Sequence, residues 1–273
     1  MPTPESKSPE GQQTSAFESQ ALSLLEMDTL PREVFVRQEQ MPAQHFFPAH
    51  KHAWHQLLYA TSGVLIVDVT GERLFIPPEK AVWLPAGTVH RVSSQYGSEL
   101  KSLYIDQRYQ QLPHDKSQVL EISELIRALI LEAAQFAVEY PTEGYEQEVI
   151  SLILTVLPRL KRDNQHLPWP TSPELFQLCT RLYDHPGDRS TTTELAHSLA
   201  LSKRTLERKF SKEVGMSLQS WRSRLRFLKA IELLNAGKSI INIALELGYS
   251  SSSSFIYMFR EQTGTTPSRY RQQ

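Results

Sequence analysis

The stretch LGYSSSSSFIYMFREQTGTTPSRYR, residues 247–271, decides how the C-terminal half of this chain folds. Five consecutive serines, Ser250 to Ser254, are typical of a flexible linker. Here, however, they separate two stretches that both have the apolar spacing of a helix, and serine is also a favoured residue at a helix N-terminus. The serines therefore either form a linker or begin the second helix.

An internal repeat favours the second interpretation. Displacing the chain by 48 residues aligns Leu199 with Leu247, and displacing it by 49 aligns Phe210 with Phe259. Because the offset increases by one between the paired helices, the second turn should carry one extra residue. The serines then occupy a turn and the first turn of a helix, in the place that Ser202 to Leu206 take in the first copy.

The first copy has the pattern of a helix-turn-helix unit. Thr191 and Glu194 have the spacing of a capping box, which begins a helix. A short turn ending at Ser202 leads into KRTLERKFSKEV, residues 203–214, which is apolar on one face and basic on the other. Gly215 ends this helix in the usual C-terminal role. Helix, short turn and second helix with a basic front are typical of DNA binding.

Charge divides the chain in a consistent way. Residues 173–273 contain 15 Lys and Arg against 9 Asp and Glu, a net charge of +6, while residues 1–172 carry −7. A basic half joined to an acidic half indicates a nucleic-acid-binding domain with a partner domain. The boundary falls at DNQHLPWPTS, residues 163–172, whose prolines and lack of periodicity predict an interdomain linker.

Composition limits the class of protein. The 273 residues suffice for two domains, and 40% hydrophobic with 22% charged residues suits a soluble globular chain. No apolar run is long enough to cross a membrane, and residues 1–30 lack the apolar core of a signal peptide, so we expect a disordered tail there. The single cysteine, Cys179, excludes an internal disulfide and favours a cytoplasmic location.

Residues 31–110 have the pattern of a small β domain. Six short runs rich in β-branched and aromatic residues are separated by turn signals, which predicts a small barrel or double-sheet jelly roll. The runs are HQLLYA, GVLIVDV, ERLFI, AVWLP, HRVSS and LKSLYI. Residues 111–162 follow as a helical region, with helices at about 118–139 and 143–161 that would pack on the β domain or on a second subunit.

Histidines cluster in the predicted β domain. His50 and His52 are two residues apart, so an extended chain would place both on one face together with Gln56. His90 follows the turn that begins at Pro85 and contains Gly87. The patterns H-x-H-x3-Q and P-x-G-x-x-H resemble the two motifs of the cupin family. In metal-binding cupins the first motif ends in Glu, and three His and this Glu hold a divalent ion inside the barrel.

The cupin resemblance implies either a metal site or an effector pocket at His50, His52, Gln56 and His90. A neutral amide is a poorer ligand for a hard cation than a carboxylate, so these residues would suit Zn²⁺ or Ni²⁺ better than Ca²⁺. As an effector pocket, the same groups would bind a small polar or anionic molecule. The residues expected to supply its apolar wall are Trp54, Tyr59 and Trp83.

The last hundred or so residues resemble the DNA-binding domain of the AraC/XylS family of bacterial regulators. INIALELGYSSSSSFIYMFREQTGTTPSRYR, residues 241–271, is close to the family signature, and a long helix over 217–236 joins the two helix-turn-helix units. The expected fold is therefore α+β. It has a cupin-like β barrel (jelly roll) with following helices that serve dimerisation, then an all-α DNA-binding domain over residues 173–273.

This resemblance implies a sequence-specific transcription regulator that responds to a small molecule and whose two recognition helices enter adjacent major grooves. Such a regulator can activate or repress transcription, and we expect an activator. The implied partners are double-stranded DNA, an unidentified effector, a second copy of the chain and RNA polymerase. The implied DNA contacts are Lys203, Arg204, Glu207 and Arg208 in the first unit and Ser252, Ser253 and Tyr257 in the second. Serine side chains are short, so we expect the second unit mainly to hold phosphate.

Two other classes remain as alternatives. A cupin metalloenzyme with an accessory helical domain would use the same histidines, but enzymes seldom carry a complete pair of DNA-binding units. An architectural DNA-binding protein would need no effector, which would leave the polar residues of the predicted pocket without a role. We therefore expect a regulator without catalytic residues.

Overall fold

The computed structural model describes residues 20–271 except 25, 70–71, 79, 110–115 and 164–166. Ten strands and nine α-helices lie in this part of the chain. The strands are β1 Gln20–Ala21, β2 Val34–Met41, β3 His45–His50, β4 His55–Ser62, β5 Leu65–Val69, β6 Glu72–Ile76, β7 Lys80–Leu84, β8 His90–Ser94, β9 Ser98–Ile105 and β10 Gln118–Glu121. The helices are α1 Glu124–Ala133, α2 Tyr145–Val156, α3 Pro173–Asp184, α4 Thr192–Ser198, α5 Lys203–Val214, α6 Leu218–Asn235, α7 Ile240–Glu246, α8 Ser252–Thr263 and α9 Pro267–Tyr270, with a 3-10 turn at Leu157–Arg159.

The strands form two five-stranded sheets that enclose an apolar core, as in a jelly roll. Their strand orders are β1-β3-β8-β5-β6 and β10-β7-β4-β9-β2, and no described strand belongs to both sheets. The cupin-like domain is therefore a sandwich of two open sheets rather than a closed barrel. All six runs predicted from the sequence are strands, β4 to β9.

Side-chain alternation in β4 divides the molecule into layers. Leu58 and Ala60 point into the core between the sheets, whereas Leu57 and Tyr59 point outward, because successive side chains of a strand face opposite sides. Helices α1 and α2 cover this outward face with buried residues such as Ile130. The outer face of the other sheet is covered instead by the C-terminal helical domain.

The helical region begins later than the sequence predicted. Residues 118–121 form β10, which pairs with β7 from Gln118 opposite Trp83 to Glu121 opposite Lys80. Four residues are too few to distinguish a strand period from a helix period, and β7 offers them an edge to pair with. Helix α1 starts at Glu124 and ends at Ala133, short of residue 139. Residues 110–115 lie outside the described residues.

The N-terminal segment and the linker both contact the domains. Residues 1–19 of the predicted tail lie outside the described residues, but β1 pairs with β3 in parallel, and Leu22 and Leu24 pack against the core between the sheets. In the linker, residues 164–166 are not described, while Leu167 and Trp169 are buried in the core of the helical domain. Isolated apolar residues in a polar or proline-rich segment have no period, so the sequence did not reveal these contacts.

Helices α3 to α9 pack around one core, with α6 at its centre. Trp221 of α6 is fully buried, and its indole N–H donates to the Pro168 carbonyl at 2.8 Å. Phe210 from α5 and Phe255 from α8 are buried in the same cluster. Four residues separate α4 from α5 and five separate α7 from α8, so the predicted extra residue of the second turn is present. Within the described part of the chain, no helix has the length and apolarity needed to cross a membrane.

The turn that precedes the first helix-turn-helix unit touches the second unit through two glycines. A Cβ on Gly187 would lie 2.4 Å from the Glu246 carbonyl oxygen, and a Cβ on Gly248 would lie 2.6 Å from the Gly187 carbonyl oxygen. Arg226 of α6 also donates to the carbonyl of Pro186, at 2.9 Å. The turn before the first unit is thereby fixed against the turn inside the second.

Replacing Gly187 by alanine should loosen this contact. The added methyl meets backbone rather than a movable side chain, so Gly187→Ala should lower the free energy of unfolding by about 1–3 kcal/mol. Arg189→Ala, an exposed change two residues away, should stay within about 0.5 kcal/mol of the wild type. Urea unfolding followed by circular dichroism measures both. Equal stability of the two variants would show that the turns do not depend on the contact.

Candidate functional site

A cavity of about 310 Å³ lies between the two sheets, and His50, His52, Gln56 and His90 line it. His50 ends β3 and pairs with His90, which begins β8. His52 follows in the turn before β4, and Gln56 belongs to β4 in the opposite sheet. The structure thus brings the four residues together, but not by alternation along one strand. The chain leaves one sheet after His50 and enters the other at His55.

The three histidine rings lie close enough to share a ligand. The ring centroids of His50 and His90 are 4.3 Å apart, and those of His52 and His90 are 5.2 Å apart. One nitrogen of each ring lies within 4.8 Å of a nitrogen of both others. The Gln56 Oε1 atom lies 3.1 Å from the His52 Nε2 atom, so the amide lies at the edge of the same cluster.

Backbone carbonyls select the tautomer of all three rings. Each Nδ1 lies 2.8–3.0 Å from a carbonyl oxygen two residues away in sequence. Because a carbonyl only accepts hydrogen bonds, each Nδ1 carries the proton and each neutral ring has its lone pair at Nε2. The buried Nε2 of His90 has no hydrogen-bond partner among the described residues. Metal-binding histidines have this arrangement of an Nδ1–H on a carbonyl.

Burial keeps two of these rings neutral. It lowers the pKa of His90 to about 4, although a hydrogen bond to the Thr88 carbonyl opposes the shift. Burial also lowers the pKa of His52. A neutral His52 would direct its Nε2 lone pair at the Gln56 Oε1 atom, which is unfavourable. Rotating the amide by half a turn lets Gln56 donate to His52 and accept from the Ser102 hydroxyl, which lies 3.0 Å away.

Only one of the three predicted wall aromatics lines the cavity. Trp54 does so, with its ring stacked on His52 at 5.2 Å and 4°. The assignment of Tyr59 and Trp83 to the effector pocket is wrong. Both side chains lie on the outer face of their sheet, in the cluster under α1 and α2. Tyr104 supplies the second aromatic wall instead, 5.6 Å from His52.

Several cavity residues were not anticipated. Tyr104 lies opposite Gln56 in the β4–β9 ladder, so correct strand pairing would have revealed it. Arg37 and Glu39 of β2 form an ion pair at 2.6 Å at the cavity, and burial raises the pKa of Glu39 despite this partner. The N-terminal segment also contributes, and no sequence pattern indicates this. Its cavity-lining residues are Leu24, Met27 and Asp28.

Helix α5 presents the predicted basic face to solvent. Ser202 caps its N-terminus by accepting from the Thr205 backbone N–H at 3.1 Å, while Leu206 and Phe210 are buried. Arg204 and Arg208 are exposed and form no ion pair with any described residue. The other predicted contacts on this face, also exposed, are Lys203 and Glu207, whose charged atoms are 4.0 Å apart.

The serine run, residues 250–254, begins helix α8. Ser251 is the N-cap and accepts from the Ser254 backbone N–H at 3.2 Å, so Ser252 and Ser253 are the first two helical residues. The linker interpretation is thereby excluded. Phe255 anchors the buried face, and Tyr257 is 69% exposed on the other. The second unit therefore presents two hydroxyls and a phenol where the first presents guanidinium groups.

Comparison with known families identifies both halves. A family model described as the AraC-like ligand binding domain matches residues 34–200, and a helix-turn-helix domain model matches residues 195–273. The chain belongs to the AraC family of transcriptional regulators. Most residues that line the histidine cavity lie within the match to the ligand-binding domain, and α5 and α8 lie within the match to the helix-turn-helix domain.

Curated members of the AraC family match along most of their length. The regulator NimR of Escherichia coli is 31% identical over 223 residues, which cover 82% of this chain and 81% of NimR. The activator RhaS of Escherichia fergusonii is 25% identical over 265 residues, covering 88% and 93% of the two chains. A solved structure of ToxT from Vibrio cholerae covers 88% of this chain and 98% of its own with 12% identity, but its TM-score of 0.36 marks a distant likeness.

The buried His90 predicts a loss of stability in acid. Its pKa is about 4 in the folded chain and about 6.5 when unfolded, so the unfolded state binds more protons between these values. The contribution of His90 is complete above pH 6.5 and falls by about 3 kcal/mol as the pH drops towards 4. Urea unfolding of chelator-treated protein across this range measures it.

His90→Gln should flatten this pH dependence, because the substitution removes the titrating ring. His197→Gln is the matched control, since His197 is exposed on α4. If His90→Gln showed the same pH dependence as the wild type, another group would be responsible.

Proposed function

We propose that a small molecule bound in the histidine cavity controls how this AraC-family regulator acts on its operator. The observation that carries the proposal is the convergence of three histidine rings, each with a nitrogen within 4.8 Å of the others, in a cavity of a chain that also has two exposed helix-turn-helix helices, α5 and α8. The cavity and the two helices fit an effector-binding domain joined to a DNA-binding domain. NimR and RhaS, both named as transcriptional regulators, favour this function over the metalloenzyme alternative.

We infer different roles for the two recognition helices in adjacent major grooves. Arg204 and Arg208 carry long, unpaired guanidinium groups that can fork onto guanine edges. Lys203 and Glu207 flank them on α5. Ser252, Ser253 and Tyr257 of α8 are shorter or bulkier hydrogen-bonding groups, which suit phosphate oxygens. The first unit would then carry most of the base readout and the second would set the position on the duplex.

Two ligand chemistries fit the histidine cavity. His50, His52 and His90, with the Gln56 amide beside them, suit a borderline ion such as Zn²⁺ or Ni²⁺, and the Nδ1–carbonyl bonds match that use. Such an ion would supply a coordination position for a donor atom of the effector. Without an ion, the same Nε2 atoms accept hydrogen bonds from a polar effector stacked on Trp54. The cavity volume of about 310 Å³ leaves room for a small molecule in either version.

We also propose a homodimer that activates transcription in the cytoplasm. The relative RhaS is named an activator, which supports RNA polymerase as the partner at the promoter. Helices α1 and α2 supply the dimer surface in this proposal, because they expose large apolar side chains. These are Leu125 at 53%, Leu131 at 37% and Leu152 at 41% exposure.

Base readout by α5 predicts a sequence-dependent loss on mutation. Arg208→Ala should weaken binding to the best sequence selected from a random DNA pool by about 1–3 kcal/mol and relax the preference at one base position. Fluorescence anisotropy at fixed salt measures affinity for this sequence and for unrelated DNA. Lys212→Ala, an exposed change on the same helix, is the control. Equal losses on both DNAs for Arg208→Ala would assign Arg208 to phosphate instead.

The histidine cavity predicts a loss of response rather than of DNA binding. The His52→Ala, His90→Ala double variant should keep basal operator affinity and lose regulation by the inducing signal, measured with a reporter gene. Elemental analysis of freshly purified protein separates the two chemistries, since a stoichiometric ion absent from the double variant supports the metal version. A double variant that still responded fully would make the histidines structural.

A further inference from the structure

A second cavity, of about 300 Å³, lies where the β domain meets helix α6. On the β side it is lined by Gly63 in the β4–β5 turn, by Gly97 in the β8–β9 turn and by Ser98 at the start of β9. On the helical side it is lined by Glu232 and Asn235 in the last turns of α6. None of these residues lines the histidine cavity, so the two cavities are separate sites.

Glu232, which lines this interdomain cavity, has a buried carboxylate oxygen without a hydrogen bond. The Glu232 side chain is 2% exposed, and its Oε2 atom accepts from the Lys229 ammonium at 2.9 Å. Its Oε1 atom is buried and has no partner among the described residues. Leaving such an oxygen unsatisfied costs free energy, and the great majority of buried polar groups are hydrogen-bonded. A hydrogen-bond donor that reached the Oε1 atom would therefore be bound favourably.

A second orphaned polar atom belongs to the facing domain. Ser98 is 6% exposed, and its Oγ atom is also buried without a partner among the residues described. The turns beside it are fixed, because a Cβ on Gly63 would lie 2.2 Å from the Gly97 carbonyl oxygen. Ser98 of the β domain and Glu232 of α6, each with an unpartnered oxygen, thus line one space between the domains.

Charge selects the class of ligand. Glu232 is the one ionisable acid or base among the lining residues that the structure describes, besides the phenol of Tyr96. Lys229, its partner, does not line the cavity, and its ammonium lies 3.4 Å from the ring centroid of Tyr183. One carboxylate oxygen and one hydroxyl are too few for a hard metal ion, which takes six or more oxygen ligands. An N–H group that carries positive charge fits better.

We propose that this interdomain cavity binds a small organic cation, an ammonium or amidinium compound, whose N–H donates to Glu232 Oε1 and which also bonds the Ser98 hydroxyl. Such a ligand touches the β domain and α6 at once. It therefore binds only the arrangement in which the two domains are packed together, and it stabilises that arrangement. The site would give the regulator a second regulatory ligand, bound at the contact between its β domain and its DNA-binding domain.

Benzamidine is a direct probe of this site in the full chain without DNA. Isothermal titration calorimetry should show saturable binding of benzamidine, with benzyl alcohol and benzoate at least about tenfold weaker, because a hydrogen bond between charged groups contributes more than a neutral one. Benzoate binding as tightly as benzamidine would overturn the proposal. So would the absence of binding by benzamidine, benzylamine and butylamine alike.

Substitutions in and away from the interdomain cavity show where benzamidine binds. Asn235→Phe, at the exposed end of α6, should fill the cavity and abolish benzamidine binding, while Asn235→Ala should preserve it. The double variant Lys229→Met, Glu232→Gln removes both charges without leaving one unpaired, and should erase the preference for benzamidine over benzyl alcohol. His52→Ala should leave benzamidine affinity within about twofold, which separates this site from the histidine cavity. Benzamidine binding unchanged in Asn235→Phe would place it elsewhere and refute the proposal.

Discussion

The arrangement of the two domains depends on the burial of Trp169. This residue comes from the linker, is 4% exposed, and packs edge to face on Trp221 of α6 with the ring centroids 5.4 Å apart. Two residues of β6 also lie near this indole: the ring centroid of Phe75 is 5.9 Å from its own, and the Arg73 guanidinium is 5.0 Å from it. Phe75 and Ile66 of the β domain belong to the same buried cluster as the helical core. The domains therefore share one core, and neither can rotate freely without exposing it to water.

This shared core gives the histidine cavity a physical connection to the DNA-binding helices. His90 pairs with Val69 across the β8–β5 ladder, and it lies on the inner side of that sheet. Ile66 of the same β5 strand points outward into the helical core. A ligand that draws the three histidines together would act on β8 and, through the ladder, on the surface against α6. It changes DNA binding only if it binds one arrangement of these elements more tightly than another.

Most residues that belong to a periodic pattern or a motif could be placed from the sequence, and residues outside such a pattern could not. The helix-turn-helix repeat was readable because Leu206, Phe210 and their counterparts recur at helical spacing, and strands β4 to β9 because they are bounded by turn residues. The histidines were found through their motif. Tyr59 and Trp83 were misplaced because alternation shows that two residues share a face but not which face encloses the cavity. Trp169 and the N-terminal segment follow no period, so only tertiary packing reveals them.

Helix α6 is the element on which all of these contacts converge. Trp221 near its start meets the linker, Lys229 and Glu232 near its end lie beside the β8–β9 turn, and its two ends lead into the two helix-turn-helix units. Any change at the domain contact that shifts α6 must therefore move both units, and the turn before the first unit, at Gly187, already contacts Gly248 in the second. For the two proposed ligands, thermodynamic linkage then sets the outcome: two ligands that favour the same packing of the domains would strengthen each other's binding, and two that favour opposite packings would weaken it without touching.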